Sequence, residues 1–197
     1  MGQEIELKIP LTDQQYDDLY NQFYSGCKMV CKRDEYFSKY NTMEERRQNN
    51  EPSVIRIRTE GVEGGVQKSY FTIKRKKKEN EIEINREDET FIENDEAMRI
   101  FFEEAGYHKW FDKEKKSYGC YQKLDEQPEL DFHMELVIVN DMKYMEIEVT
   151  DSKGLDYAVV QGALEGLVKK IGLDPSKKDI RSWYELINET VGSGFSV

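Results

Sequence analysis

Charged and aliphatic positions alternate without a break in Glu4-Ile5-Glu6-Leu7-Lys8-Ile9. A strand sorts alternate residues onto opposite faces, so Glu4, Glu6 and Lys8 share one face while Ile5, Leu7 and Ile9 share the other. The same grammar returns four times. Ile55-Arg56-Ile57-Arg58 puts two arginines on one face, and the segment from Phe71 to Lys76 sets Thr72, Lys74 and Lys76 against Phe71 and Ile73. Glu81-Ile82-Glu83-Ile84 and Glu146-Ile147-Glu148-Val149 return paired acids between aliphatics. An ordinary half-buried sheet carries a mixed polar face; here the polar faces are sorted into acidic and basic strands. Directly opposed like charges would destabilise an outward-facing sheet. In a closed barrel, acids can meet bases, and both can meet a metal and a polyanion. So many charges cannot be buried without partners, so the predicted interior is wet, ion-filled or substrate-filled.

The remaining pattern predicts strands at 28–39, 53–60, 66–77, 80–90, 107–118, 119–125, 130–139 and 142–150. Gly61 to Gly65 signals a hairpin and Asn140-Asp141 a turn. Thr12, with Gln15 three residues on, opens a helix to about Tyr24 whose apolar stripe is Tyr16, Leu19, Tyr20 and Phe23. The polar stretch from Asn41 to Pro52 is predicted as a mobile loop. A short helix follows Asn94 or Asp95 and stops at Gly106. Another runs from Asp156 to Ile171, and Ser176 caps a last one carrying Ile180, Trp183, Tyr184 and Ile187. One domain over residues 1–191 and a flexible tail over 192–197 complete the reading. The fold class is α+β, with eight or nine antiparallel strands in a closed sheet and flanking helices.

Composition narrows the function classes. At 197 residues the chain suits a single domain, and 35% charged against 38% hydrophobic residues leaves a lean core. A net charge of −11 argues against nucleic acid or an anionic membrane as partner. It leaves room for a small polyanion in a local basic cluster. The run from Lys74 to Lys78 reads as a charged hairpin end. Three cysteines give no disulfide framework, and the spacing of Cys27 and Cys31 matches no zinc or redox motif. No signal-peptide core or long apolar run is present, so a cytoplasmic location is expected. His108 and His133 read as strand residues, and no Gly-rich loop ending in Lys-Ser or Lys-Thr is found.

Taken in order, these residues resemble the signature of the CYTH superfamily, the triphosphate tunnel metalloenzymes, whose founding groups are class IV adenylyl cyclases and thiamine triphosphatases. The resemblance covers most of the chain: Glu4-x-Glu6-x-Lys8, Tyr36-Phe37, Arg56-x-Arg58, Lys74, Glu81-x-Glu83, Glu146-x-Glu148 and Ser182-Trp183-Tyr184-Glu185-Leu186. It implies an eight-stranded antiparallel tunnel whose charged lumen holds a triphosphate and a divalent metal. Carried over by position, it implies Glu4, Glu6, Glu146 and Glu148 as metal ligands. Lys8, Arg56, Arg58 and Lys74 become phosphate clamps, with Glu4, Glu6 and Lys74 at the chemistry. Glu81 or Glu83 would orient the arginines, Lys177 or Lys178 would reach in from the C-terminal segment, and Lys115 or Lys116 would supply another base. The family's usual aspartate ahead of the Glu-x-Glu pair is missing. Asp131 and Glu135 are the candidates, with Glu135 preferred as a further metal ligand.

The chemistry suits those residue types. Arginine offers a planar fork to two phosphoryl oxygens and lysine a point charge, while oxygen-only ligands select Mg²⁺ or Mn²⁺. The favoured expectation is metal-dependent hydrolysis of tripolyphosphate, thiamine triphosphate or a nucleoside triphosphate, by a monomer or homodimer. A class IV-type adenylyl cyclase, making cyclic AMP and pyrophosphate from ATP, is the alternative. A non-catalytic polyphosphate-binding module is the third, and retention of both Glu pairs argues against it.

Overall fold

The computed structural model describes residues 3–51, 54–79 and 82–192. Eight antiparallel strands close into a barrel. They are β1 (Gln3–Pro10), β2 (Val30–Ser38), β3 (Val54–Val62), β4 (Lys68–Glu79), β5 (Ile82–Ile92), β6 (His108–Leu124), β7 (Gln127–Val139) and β8 (Met142–Val149). Around the barrel they run β1-β5-β4-β3-β2-β6-β7-β8. Two meanders, β2 to β5 and β6 to β8, join through the β2–β6 pairing, and β1 closes the ring between β5 and β8.

Alternation along each strand sends charge inward and apolar groups outward, so the hydrophobic core lies outside the barrel. Helices α1 (Asp13–Leu19) and α4 (Tyr157–Lys170) cover the outer wall of β1, β7 and β8. There Ile5, Leu7, Ile9, Phe132, Met134, Leu136, Met145 and Ile147 meet Leu19, Leu164 and Val168. Across the barrel, α3 (Asp95–Glu104) lays Phe102 on Phe37, Ile55 and Ile57. Burying one such side chain fully contributes about 1.5–3 kcal/mol, so these two outer cores hold a polar lumen in shape.

Helix α1 has the expected capping box between Thr12 and Gln15, and the chain continues as a π-helical turn over Tyr20–Tyr24. Three expectations are corrected. The polar segment after Asn41 is not a bare loop: Thr42 caps a short helix, α2 (Met43–Gln48), through a box with Glu45. The two strands expected at 107–118 and 119–125 are one, β6, because Gly119 continues the ladder opposite Glu135. A Cβ there would stand 3.1 Å from His133 Nε2, so the glycine makes room for an imidazole rather than a turn. The last helix, α5 (Trp183–Gly192), starts later than Ser176. Pro175–Lys177 forms a 3-10 turn, and Ser182 exchanges capping bonds with Glu185. Residues 193–197 of the expected tail lie outside the described residues. No helix among the described residues is long and apolar enough to cross a membrane.

Candidate active site

Strand register brings the charged faces into one cavity of about 750 Å³. Glu6 sits opposite Glu148 and Lys8 opposite Glu146 across β1 and β8. On the next pair, His133 faces Glu148 and Glu135 faces Glu146. Across the barrel Asp34 lies beside Arg58, Arg56 beside Thr72, and Lys74 beside Glu87. These pairings separate the lumen into three neighbourhoods.

The first is built around Asp34, a fully buried carboxylate. Arg58 donates to it through Nε at 2.6 Å and Nη2 at 2.9 Å, Lys113 Nζ stands at 3.3 Å and Arg56 Nη1 at 3.9 Å. Burial pushes the Asp34 carboxyl up, but the Arg58, Lys113 and Arg56 charges outweigh it and hold it well below its ordinary range. Arg56 Nη2 donates to Thr72 Oγ1 at 3.0 Å, and Glu89 and Glu87 lie 3.4 and 3.8 Å away. Its Nε is buried with no hydrogen-bond partner. Lys113 is a base under stress. Burial brings its ammonium down to about 7, and Lys115 and Arg58 push the same way against the pull of Asp34.

The second neighbourhood is the acidic end. Glu4 and Glu6 lie 3.8 and 3.9 Å from Lys74 Nζ, which bonds Glu87 at 2.5 Å. Burial, then repulsion from Glu87 and Glu148, pushes Glu4 up to about 8 although Lys74 opposes it. Burial would raise Glu87 too, but Lys74 and Arg56 bring it down to about 2. A Glu148 oxygen lies at hydrogen-bond distance, 2.8 Å, from His133 Nδ1.

The third is a buried ion network. Lys115 Nζ bridges Glu135 Oε2 at 2.5 Å and Glu146 Oε2 at 2.6 Å. Lys32 Nζ reaches Glu135 Oε1 at 2.6 Å, and Trp183 Nε1 donates to Glu146 Oε1 at 2.8 Å. Burial raises both carboxyls, yet Lys115 takes Glu146 down to about 2, and Lys115 with Lys32 takes Glu135 well below its usual value.

The mouth beside α5 is aromatic. Tyr184 packs against Trp110 and Phe111 at 4.7 and 5.3 Å, and Tyr36 against Phe111 at 5.3 Å. The Arg46 guanidinium of α2 lies 4.5 Å from the Trp110 ring centre, held by Glu51 at 2.5 Å. Trp110 Nε1 is buried without a partner.

The structure thus brings together Glu4, Glu6, Lys8, Arg56, Arg58, Lys74, Glu135, Glu146 and Glu148 on the cavity wall. It does not bring in Lys116, Lys177 or Lys178. Lys116 points outward toward Glu63, because β6 turns Lys113, Lys115 and Ser117 inward. Lys177 is exposed on the 3-10 turn, and Lys178 bonds Glu165 of α4 at 3.1 Å. Asp131 also stays outside, paired with Lys123. Glu81 lies outside the described residues, as does the side chain of Glu83. The arginines are oriented by Asp34, Glu87 and Glu89. Sequence reasoning missed these three acids, Lys32, Lys113 and Arg46. The signal was present in Lys32-Arg33-Asp34 and Arg86-Glu87-Asp88-Glu89, where both faces are polar and alternation cannot choose between them.

The donor set allows a test for a hard cation. Glu4, Glu6 and Glu148 share one face of adjacent strands, offer oxygen alone and repel one another, which suits Mg²⁺ or Mn²⁺. As the side chains stand, no three of His, Cys, Asp and Glu among the described residues are gathered as a metal centre.

No protein-family model matches the sequence, and no curated protein matches it. Solved structures do. The chain is similar to the protein PH1819 of Pyrococcus horikoshii, at 19% identity over 95% of this chain and 99% of that one, with a TM-score of 0.72. It is similar to a candidate adenylate cyclase of Vibrio parahaemolyticus, at 15% identity over 94% and 97% of the two chains, TM-score 0.67. A third is HpAC1 of Hippeastrum, for which a dominant triphosphatase activity is described, at 17% identity over 96% of each chain, TM-score 0.63. Identities this low establish the fold alone. That fold is a closed eight-stranded antiparallel barrel with flanking helices, the architecture the sequence resemblance implied.

Proposed function

We propose that the protein is a divalent-metal-dependent triphosphatase. The observation that carries this reading is a cavity whose wall gathers Arg56, Arg58 and Lys74 with the mutually repelling carboxylates Glu4 and Glu148. Arg58 is fixed by Asp34 through Nε and Nη2, which leaves Nη1 for a phosphoryl oxygen. Arg56 is braced by Thr72 and Glu89, and its unpartnered Nε offers a second donor. Lys74 adds a point charge beside Glu4, Glu6 and Glu87, and Lys8, whose Nζ donates to the Arg181 carbonyl at 2.5 Å, adds another on the cavity wall. Such pre-set donors need no reorganisation as charge develops. Glu4, Glu6 and Glu148 would hold Mg²⁺ or Mn²⁺, which supplies charge neutralisation and an activated water when bound. In hydrolysis the water oxygen bonds to the terminal phosphorus, the bridging P–O bond breaks, and orthophosphate separates from the remaining phosphates. That HpAC1 shares the fold and is described as a triphosphatase supports the same choice.

One feature favours a substrate with an organic group. The aromatic mouth of Trp110, Phe111 and Tyr184 and the orphaned Trp110 Nε1 suit a flat heteroaromatic ring better than bare phosphate. A nucleoside or thiamine triphosphate fits this, and so does the cyclase reading.

Phosphorus NMR of the protein with Mg²⁺ or Mn²⁺ separates the readings. Orthophosphate from tripolyphosphate or ATP is expected, with little cyclic product; pyrophosphate and cyclic AMP from ATP would replace the hydrolase with a cyclase. Glu6→Gln and Arg56→Ala are each expected to lower turnover by about 100-fold or more. Wild-type rates in either variant would remove that residue from the site.

A further inference from the structure

One row across four neighbouring strands carries Tyr121 on β6, His133 on β7, Glu148 on β8 and Glu6 on β1. His133 lines the cavity, and its imidazole is seated on two sides. The Tyr121 ring lies 4.8 Å away at a tilt of 32°. Gly119, two residues earlier on β6, has no Cβ where one would stand 3.1 Å from Nε2. An imidazole stacked on a phenol ring and lowered over bare backbone has few orientations left. On its third side, Nδ1 meets Glu148 Oε1 at 2.8 Å. An ionised carboxylate only accepts, so the imidazole is the donor and its proton sits on Nδ1. The His133 and Glu148 side chains stay 19% and 28% exposed, so the pair stands on the open cavity wall rather than in a sealed core.

We propose that His133 is a positioning residue that fixes the Glu148 carboxylate beside Glu6. Glu6 sits directly opposite Glu148, and like charges at facing positions push apart. The imidazole comes from β7, on the far side of β8 from β1, so it holds Glu148 against that push. It engages Oε1 and leaves Oε2 for a cation. A carboxylate oriented by a hydrogen bond of this kind is a better ligand, because partners behind a ligand set its direction and its basicity. Gly119, Tyr121 and His133 stand outside the charged pairs that mark the site in the sequence, so the support is visible only in the fold.

The inference rests on the metal-dependent reading of the acidic end, and its test reads metal binding rather than turnover. Mn²⁺ is titrated into the substrate-free protein and followed by the EPR signal of free Mn²⁺. His133→Leu is expected to weaken binding by about tenfold or more. His133→Asn, whose amide can donate from the place of Nδ1, is expected to stay within about threefold of the wild type. His133→Gln, whose amide reaches the place of Nε2 instead, should be as weak as the leucine variant. Wild-type affinity in His133→Leu would overturn the proposal, and so would equal affinities in the asparagine and glutamine variants. If circular dichroism shows the leucine variant unfolded, the asparagine and glutamine pair decides alone. Glu6→Gln keeps the two readings apart. Loss of Mn²⁺ binding there, with none in His133→Leu, defeats this inference only. No Mn²⁺ binding by the wild type, or none lost in Glu6→Gln, defeats the metal reading and this inference with it. Absence of triphosphate hydrolysis with the His133 pattern intact defeats the hydrolase reading and leaves this one standing.

Discussion

Lys113 shows how far one lumen residue departs from its behaviour in water. Its ammonium stands 3.3 Å from Asp34, yet burial and the nearby Lys115 and Arg58 bring it down to about 7. The unfolded chain therefore binds this proton more tightly than the folded one across the window from about pH 7 to pH 10.5. Folding is correspondingly favoured as pH rises through that window. A triphosphate placed beside Lys113 would restore the charge. At pH 8, tripolyphosphate binding in the absence of metal is expected to take up protons, seen as buffer-dependent heats in calorimetry with Tris and HEPES. Lys113→Met should remove most of that uptake, and equal heats in the two buffers for the wild type would contradict the placement of substrate. None of this was legible in Lys113-Glu114-Lys115-Lys116, where four consecutive charges hide which face is inward. By contrast Glu4, Glu6, Arg56 and Arg58 were legible, because aliphatic neighbours on both sides fix their face.

At the scale of elements, β6 carries the clearest lesson. Glycine in a polar stretch reads as a break, but Gly119 sits within a 17-residue strand and leaves space for His133, which in turn holds Glu148. Gly119→Ala would bring a methyl to 3.1 Å from Nε2, close enough that the imidazole must give way. A loss of about 1–3 kcal/mol in urea unfolding is expected, the usual cost of overpacking; unchanged stability would mean that the ring moves freely. Helix α2 was hidden for a different reason. Six residues are too few for a hydrophobic period to show, and its anchor is a polar contact between Arg46 and Glu51 that only the folded chain creates. The charged strands, with a period of two over several residues, had no such difficulty, but alternation sets a strand's faces and not its neighbours, so their order around the barrel comes from the fold.

The whole molecule reverses the common arrangement of a small barrel. Its apolar groups pack outside, against α1 and α4 on one side and α3 on the other, and its charges meet inside. Closure leaves no strand edge for another chain to pair with. It also binds the first strand on both sides, to β5 and to β8. Amides at the centre of β1 are therefore expected to exchange with solvent only as slowly as those of β7, although β1 stands outside both meanders. Exchange of Ile5 and Leu7 well ahead of β7 in a native-state hydrogen-exchange series would show that the ring opens locally. The position of β1 also sets an order in time. On the ribosome it is made before every other strand of the barrel, and it must wait for β5 and then β8 before both its edges are filled. Glu4 and Glu6 ride on that strand, so the acidic end takes shape after the arginine cluster of β2 and β3. A nascent chain that has not yet reached β8 can carry its arginine cluster, but it has no Glu148 and no finished place for a cation.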